Sequence, residues 1–212
     1  MAIAAGLQMP KTHLVELKVN GKDEAFFAVQ RFDRDVNRKI HFLSLSGYLH
    51  ATHRVPSLEY ASGVLAATMK LTKSQAEVEK AFRLMLFNVL AHNKDDHAKN
   101  FAYLMDPAAN GAWELAPAYD LTFNTGMGNE HMTSISGAGN PDINDIKKVA
   151  VARKVKNWEK ILEEVRSAVS DWPKYANSFD VPKARIASIQ KNLRDIDQRC
   201  SPTVARPKPS RK

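Results

Sequence analysis

Apolar and polar positions alternate from Thr12 to Val19, with His13, Val15, Leu17 and Val19 on one face and Leu14, Glu16 and Lys18 on the other, as in a half-buried strand. Asn20-Gly21 supplies the two positive-φ positions of a tight hairpin turn, and Glu24 to Phe32 reads as the returning strand. Residues 1–9 read as the end of a helix whose start lies upstream, because no Ser, Thr or Asp caps the Ala-rich run. Lys39 to Ala51 mixes apolar and polar positions and is expected to be helical or irregular. From Ser57 to Met69, Tyr60, Val64, Leu65 and Met69 recur at helical spacing despite Gly63. Ser74-Gln75-Ala76-Glu77 has the form of a capping box, and the helix it opens is apolar nearly all round from Ala81 to Leu90, which predicts a path through the centre of a domain.

The second half alternates less. Phe101 to Met105 and Ala112 to Leu115 read as two strands joined by a turn at Pro107-Ala108-Ala109-Asn110-Gly111. Asn124 to Asn140, rich in Gly, Asn, Ser and Met, reads as a loop. Three helices follow near Ile143 to Ala152, Trp158 to Trp172 and Pro182 to Arg199, the last with a stripe of Ala184, Ile186, Ile189, Leu193 and Ile196 behind a first-turn proline. The expected class is α+β: a mostly helical core with a small N-terminal hairpin and a central two-stranded hairpin.

Composition narrows the classes. With 212 residues, 44% of them hydrophobic, the chain can bury a real core as one domain or two small lobes. Its single cysteine, Cys200, excludes an internal disulfide framework and reads as an incidental thiol. No stretch approaches a membrane span and the start lacks a secretory pattern, so a cytoplasmic protein is expected. Of the formal net charge of +8, Arg206, Lys208, Arg211 and Lys212 contribute four, in a proline-bearing tail from Ser201 that reads as disordered. No aromatics interleave with those charges, which argues against a nucleic-acid site there. His50 and His53 have a spacing known from metal sites but no third ligand nearby, so they read as surface residues. In Arg31-Phe32-Asp33-Arg34, Phe32 is either core or part of a ligand site.

The densest chemistry lies in Asp95-Asp96-His97-Ala98-Lys99-Asn100, directly after the central apolar helix, with Asp120 following the second strand of the central hairpin. Since the first strand begins right after Asn100, both groups can converge at one end of the hairpin. An amide and a carboxylate from separate loops suit magnesium carrying phosphates. The five-residue interval from Asp95 to Asn100 is that of a protein-kinase catalytic loop, in which the acid takes the substrate hydroxyl proton and the amide holds metal. On this mapping Asp95 is the base, Asn100 and Asp120 are metal ligands, Lys99 can neutralise the transferring phosphoryl group and His97 orients the loop. Such residues after a helix can instead simply cap it or form an Asx-turn. A metal-dependent phosphoesterase built on Asp95, His97 and Asp120 is a third reading.

The run Asp95-Asp96-His97-Ala98-Lys99-Asn100-Phe101, with Leu115-Ala116-Pro117-Ala118-Tyr119-Asp120, resembles the C-terminal core of the HipA family of bacterial toxin serine/threonine kinases. Arg31-Phe32-Asp33-Arg34 and Ala5-Gly6-Leu7-Gln8-Met9-Pro10 resemble the family's segments at corresponding places. The resemblance implies a kinase-like C-lobe over residues 39–200, a remnant of the N-lobe and hinge over 1–38, and a disordered basic tail over 201–212. It implies ATP and Mg2+ as cosubstrate and cofactor, a DNA-binding antitoxin of HipB type, DNA contacted only through that antitoxin, and a protein substrate such as an aminoacyl-tRNA synthetase. Asp95 matches the family's base, Asn100 and Asp120 its metal ligands, His97 a nucleotide-side position, and Gln30 and Phe32 the hinge at adenine. Three departures stand out. The phosphate-covering loop and phosphate-holding lysine have no counterpart here, so a separate N-terminal lobe polypeptide is implied for activity. Gln30 replaces the usual Glu. Asp96 replaces a small residue, and an extra charge beside the base is expected to raise one carboxylate's pKa. The rival is a non-catalytic pseudokinase or antitoxin-binding module.

Overall fold

The computed structural model describes residues 1–51, 58–106, 108 and 111–201. Residues 2–6 form one turn that ends as a helix end does: Leu7 N–H reaches Ala2 O and Gly6 N–H reaches Ile3 O, with Gly6 at φ +78. Strands β1 (Thr12–Val19) and β2 (Lys22–Val29) pair antiparallel through Asn20 and Gly21 at φ 52 and 79. These positive angles match the right-handed twist of the strands, which is why Asn-Gly specifies this turn.

The expectation of a half-buried β1 is corrected by the structure, since apolar side chains on both faces of the hairpin are open to solvent. Leu14 is 58% and Phe27 71% exposed on one face, and Leu17 is 52% exposed on the other. A second small ribbon, β3 (Arg34–Asp35) with β4 (Arg38–Lys39), follows. His41–Ser44, expected to be helical or irregular, is a strand, β5, and only Leu45–Leu49 is helix, α1. Its partner is distant in sequence. β5 pairs with β7 (Ala102–Met105), which pairs with β8 (Trp113–Leu115), so the central hairpin is two strands of a three-stranded antiparallel sheet.

The segment from Ser57 does not begin as an α-helix. Leu58–Glu59 forms β6, Tyr60–Leu65 a π-helical turn and Ala66–Thr72 helix α2. A Cβ at Gly63 would lie 2.5 Å from Leu58 Cδ1, so a larger residue in that turn would require the Leu58 side chain to shift. Helix α3 (Gln75–Leu90) is the axis of the domain, with Phe82, Met85, Leu86 and Leu90 buried against the later helices. Burying each such side chain contributes about 1.5–3 kcal/mol. Its cap is half of the expected box. Ser74 Oγ accepts from Glu77 N–H, but the Glu77 carboxylate turns to Leu115 N–H at 2.8 Å and Lys80 at 2.6 Å, tying the helix start to β8.

Within the expected loop, Thr133–Ser134 forms β9, parallel to β6. Helices α4 (Ile143–Ala152), α5 (Trp158–Ser170), α6 (Trp172–Ser178) and α7 (Lys183–Arg199) complete the core. Pro182 is the residue just ahead of α7, one position earlier than its expected first-turn place. Cys200 is buried, and burial pushes its thiol pKa up to about 11. Among the described residues no helix is long and apolar enough to cross a membrane. His53 and residues 202–212 of the tail lie outside the described residues, as do Pro107, Ala109 and Asn110 of the turn.

Candidate functional site

Helix α3 ends with Asn93 N–H on Asn88 O at 2.8 Å and His92 N–H on Val89 O at 3.3 Å, His92 taking φ 58. The chain then leaves the core as residues 93–100. A second segment runs alongside it: Asn124 donates its N–H to His92 O at 2.9 Å and accepts from Lys94 N–H at 3.2 Å. The His92 ring stacks on Phe123 at 4.9 Å, and its pKa is lowered mainly by burial. These bonds bring the segment after Asp120 against the segment before Asp95.

Two further bonds draw the site residues together. Tyr119 Oη donates to Lys99 O at 2.5 Å, and Asn93 Nδ2 reaches Asp120 O at 3.5 Å. Asp120 itself sits at φ 55, a left-handed conformation that Asp tolerates better than most residues. Asn100 donates its amide Nδ2 to Asp95 O at 2.9 Å, and its N–H bonds His97 O across a short 3-10 turn, Ala98–Asn100. With its nitrogen so engaged, the Asn100 side chain has its oxygen left to offer. Asp95, His97 and Asn100 are half-buried, and Lys99 is exposed.

Asp96 departs from expectation. Rather than placing its charge beside Asp95, it is fully buried and faces inward, its carboxylate accepting from Tyr60 Oη at 2.8 Å, His131 Nδ1 at 2.9 Å and Thr133 N–H at 3.2 Å. Thr133 Oγ1 also donates to the Asp96 carbonyl. Three donors on one carboxyl group explain how so polar a side chain is accommodated at 0% exposure. Tyr60 in turn accepts from Asn88 Nδ2 at 3.0 Å, and Asn88 Oδ1 accepts from Asn93 Nδ2 at 3.0 Å. A continuous buried network therefore links Asp96 to the carbonyl of Asp120. Burial, and then the Asp96 charge, push the Tyr60 pKa well above its ordinary value.

Lys94 is buried beside this network and donates to Asn129 O at 2.6 Å, Asn129 Oδ1 at 3.1 Å and Asn140 Oδ1 at 2.7 Å. It clamps the 124–140 segment to the site loop. Burial is the main cause of its lowered pKa, with Arg199 adding repulsion. None of Tyr60, Asn88, Asn93, Lys94, His131 and Thr133 was singled out by the sequence pattern. The adjacency of Asn93 and Lys94 to Asp95 was the one available signal.

Of the expected hinge pair, Phe32 packs against Tyr119 at 5.7 Å and Phe42 at 6.1 Å between ring centroids, an aromatic cluster next to Asp120 on the three-stranded sheet. Gln30 is exposed, its N–H on Lys11 O at 2.8 Å, and its side chain makes no hydrogen bond among the described residues. Among the described residues no group of three or more His, Cys, Asp or Glu could hold a metal ion. The expected ligand pair, the Asn100 amide oxygen and the Asp120 carboxylate, would suit a hard cation that retains water and shares phosphate oxygens, and it brings fewer protein ligands than a dinuclear phosphoesterase uses.

A family profile described as the HipA-like C-terminal domain matches residues 1–172. The chain belongs to this family. Its fold follows that of Shewanella oneidensis HipA, solved with HipB and operator DNA, with a TM-score of 0.71 at 16% identity over 94% of this chain and 53% of that one. It also follows the Helicobacter pylori proinflammatory kinase CtkA, with a TM-score of 0.56 at 10% identity over 94% of this chain and 80% of that one. A Sinorhizobium fredii protein named "Putative kinase Y4dM" is 27% identical over 127 residues, 55% of this chain and 30% of that protein. The chain thus spans about half the length of the HipA structure and under a third of Y4dM. The α+β, kinase-like class expected from the sequence is the class observed.

Proposed function

We propose that this HipA-like chain is the core of a serine/threonine protein kinase, passing the γ-phosphate of ATP to a protein hydroxyl. Asp95 takes the hydroxyl proton, and Asn100 Oδ1 with the Asp120 carboxylate would hold Mg2+. The observation that most supports this is the tying of the two segments at Asn93–Asp120 and Tyr119–Lys99, with Asn100 braced on the Asp95 carbonyl. Bound magnesium supplies charge neutralisation of the phosphate oxygens. Phe32, Phe42 and Tyr119 offer ring faces for a purine next to the metal side, with Gln30 at the rim; His97 stands on the nucleotide side and Lys99 at the phosphoryl group. The domain division at 1–38 and 39–200 belongs to the same reading. The partner is a DNA-binding antitoxin of HipB type, which alone touches DNA.

Calorimetric titration with ATP, with and without magnesium, tests the site. Magnesium-dependent binding should be present in the wild type and lost in Asp120→Asn; equal binding by both would remove Asp120 from the site. Phosphotransfer by the pure chain should be weak, because positioning and charge neutralisation of the phosphates are incomplete. Robust transfer abolished by Asp95→Ala would keep the kinase and show that this stretch of chain suffices for it. The hairpin, apolar and open on both faces, favours one rival, a non-catalytic antitoxin-binding module. Antitoxin binding without any nucleotide binding would establish it.

A further inference from the structure

At the C-terminal end of α3, helices α5 and α7 part to leave a cavity of about 290 Å³. Each helix contributes one face at i, i+3, i+4, i+7 spacing: Glu163, Arg166, Ser167 and Ser170 from α5, and Gln190, Leu193, Arg194 and Asp197 from α7. The floor is apolar, made by Leu90, Val169 and Leu193. One end is closed and neutralised, because Arg166 holds Asp197 at 2.7 and 3.2 Å, Ser201 at 3.0 Å and Glu163 at 3.3 Å.

Two groups remain unspent. Arg194 lines the cavity and makes no ion pair or side-chain hydrogen bond among the described residues. One turn earlier on the same helix, the Gln190 Oε1 atom is enclosed without any hydrogen-bond partner. A shielded carbonyl oxygen with no donor is uncommon in folded proteins. Rotation about the soft terminal torsion of Gln190 presents that oxygen to an occupant's N–H or O–H.

We infer that this cavity binds a small aromatic or branched carboxylic acid that carries a hydrogen-bond donor. Its carboxylate pairs with Arg194, its apolar body covers Leu90, Val169 and Leu193, and its donor meets Gln190. The volume is at the lower end of the range for small-molecule sites, which limits the occupant to about the size of one fused bicyclic ring with a short acid arm. The site is separate from the phosphoryl-transfer site and does not depend on the kinase reading.

Indole-3-acetate is a suitable probe, read by calorimetry and by methyl shifts of Leu90, Val169 and Leu193 in the full chain. Saturable binding is expected. Tryptamine, which replaces the acid by a cation, should bind at least about tenfold more weakly, the value of one charge-assisted hydrogen bond. Naphthalene-1-acetate, which lacks the N–H, should lose roughly three- to tenfold in the wild type and nothing in Gln190→Leu. Arg194→Ala should abolish the preference for the acid while leaving the melting temperature unchanged, because Arg194 is exposed and makes no ion pair or side-chain hydrogen bond among the described residues. No saturable binding of indole-3-acetate, or equal affinity for tryptamine, would overturn the proposal. So would binding that Arg194→Ala leaves intact.

Discussion

Replacing Tyr60 by Phe removes one oxygen from the centre of the buried network and leaves the ring where it is. The ring keeps its edge contact with Phe101 at 5.6 Å, so no apolar area is lost and no cavity opens beyond one hydroxyl. What is lost is a donor to a buried carboxylate and an acceptor for Asn88. A hydrogen bond to a charged group contributes about 1.5–3 kcal/mol and a neutral one about 0.5–1.5 kcal/mol, and the two are not additive when they share an atom. Asp96 keeps His131 and Thr133 as donors, which limits the loss. The expected destabilisation is therefore about 2–3 kcal/mol. Equilibrium urea unfolding followed by tryptophan fluorescence should show a lower midpoint at unchanged slope. A second readout separates bracing from bulk stability: magnesium-dependent ATP binding should weaken several-fold in Tyr60→Phe, because Asn88 and Asn93 transmit its position to the Asp120 carbonyl. Leu162→Ala in α5, a core truncation costing about 2–5 kcal/mol, should leave that binding unchanged. A loss below about 0.5 kcal/mol in Tyr60→Phe would mean the carboxylate is satisfied without this hydroxyl, and the bracing argument would fail.

Lys94→Met keeps the stem of the side chain but strands three acceptors at Asn129 and Asn140; a loss of about 2–4 kcal/mol and faster proteolysis within 124–140 are expected, checked by urea titration and limited digestion. Leu14→Ser with Phe27→Ser on the open hairpin should change stability by less than about 0.5 kcal/mol, since neither side chain is in the core, while lowering self-association seen by light scattering. Stability should fall in alkali. Burial raises the Tyr103 pKa to about 12 and the Tyr60 pKa also lies above its ordinary value, so above about pH 10 the unfolded chain has released phenolic protons that the folded chain retains. The urea midpoint should drop as pH rises from about 10 toward 12, and less steeply in Tyr103→Phe.

The elements legible in the sequence are those whose cause is local. The Asn20-Gly21 turn, the buried α3 and three of the four C-terminal helices, α4, α5 and α7, follow from residues within one or two turns of themselves, whereas the short α6 was not expected. What was not legible has its cause far along the chain. His41–Ser44 is a strand because Ala102–Met105 lies beside it, and nothing between residues 41 and 44 encodes that partner. Glu77 matches a capping box, but Leu115 N–H offers its carboxylate a better-ordered partner, 38 residues away. The β1–β2 hairpin shows the converse. Its pattern is that of a sheet with apolar residues on both faces, and the described residues cover neither.

Asp96 makes the same point at the candidate site. Its identity suggested a second charge beside Asp95, because neighbours in sequence were the only neighbours in view. Its three donors come from Tyr60, His131 and Thr133, each 35–37 residues distant, and they turn the carboxylate inward. Consecutive side chains in an extended segment point to opposite sides. With Asp96 anchored inside, Asp95 is left half-buried, its carbonyl held by the Asn100 amide. The second acid thus serves the first by being buried. It holds the loop after the helix from both the helix side and the 131–133 side, the fixed placement that the base proposed at Asp95 would need to meet a substrate hydroxyl at a set distance.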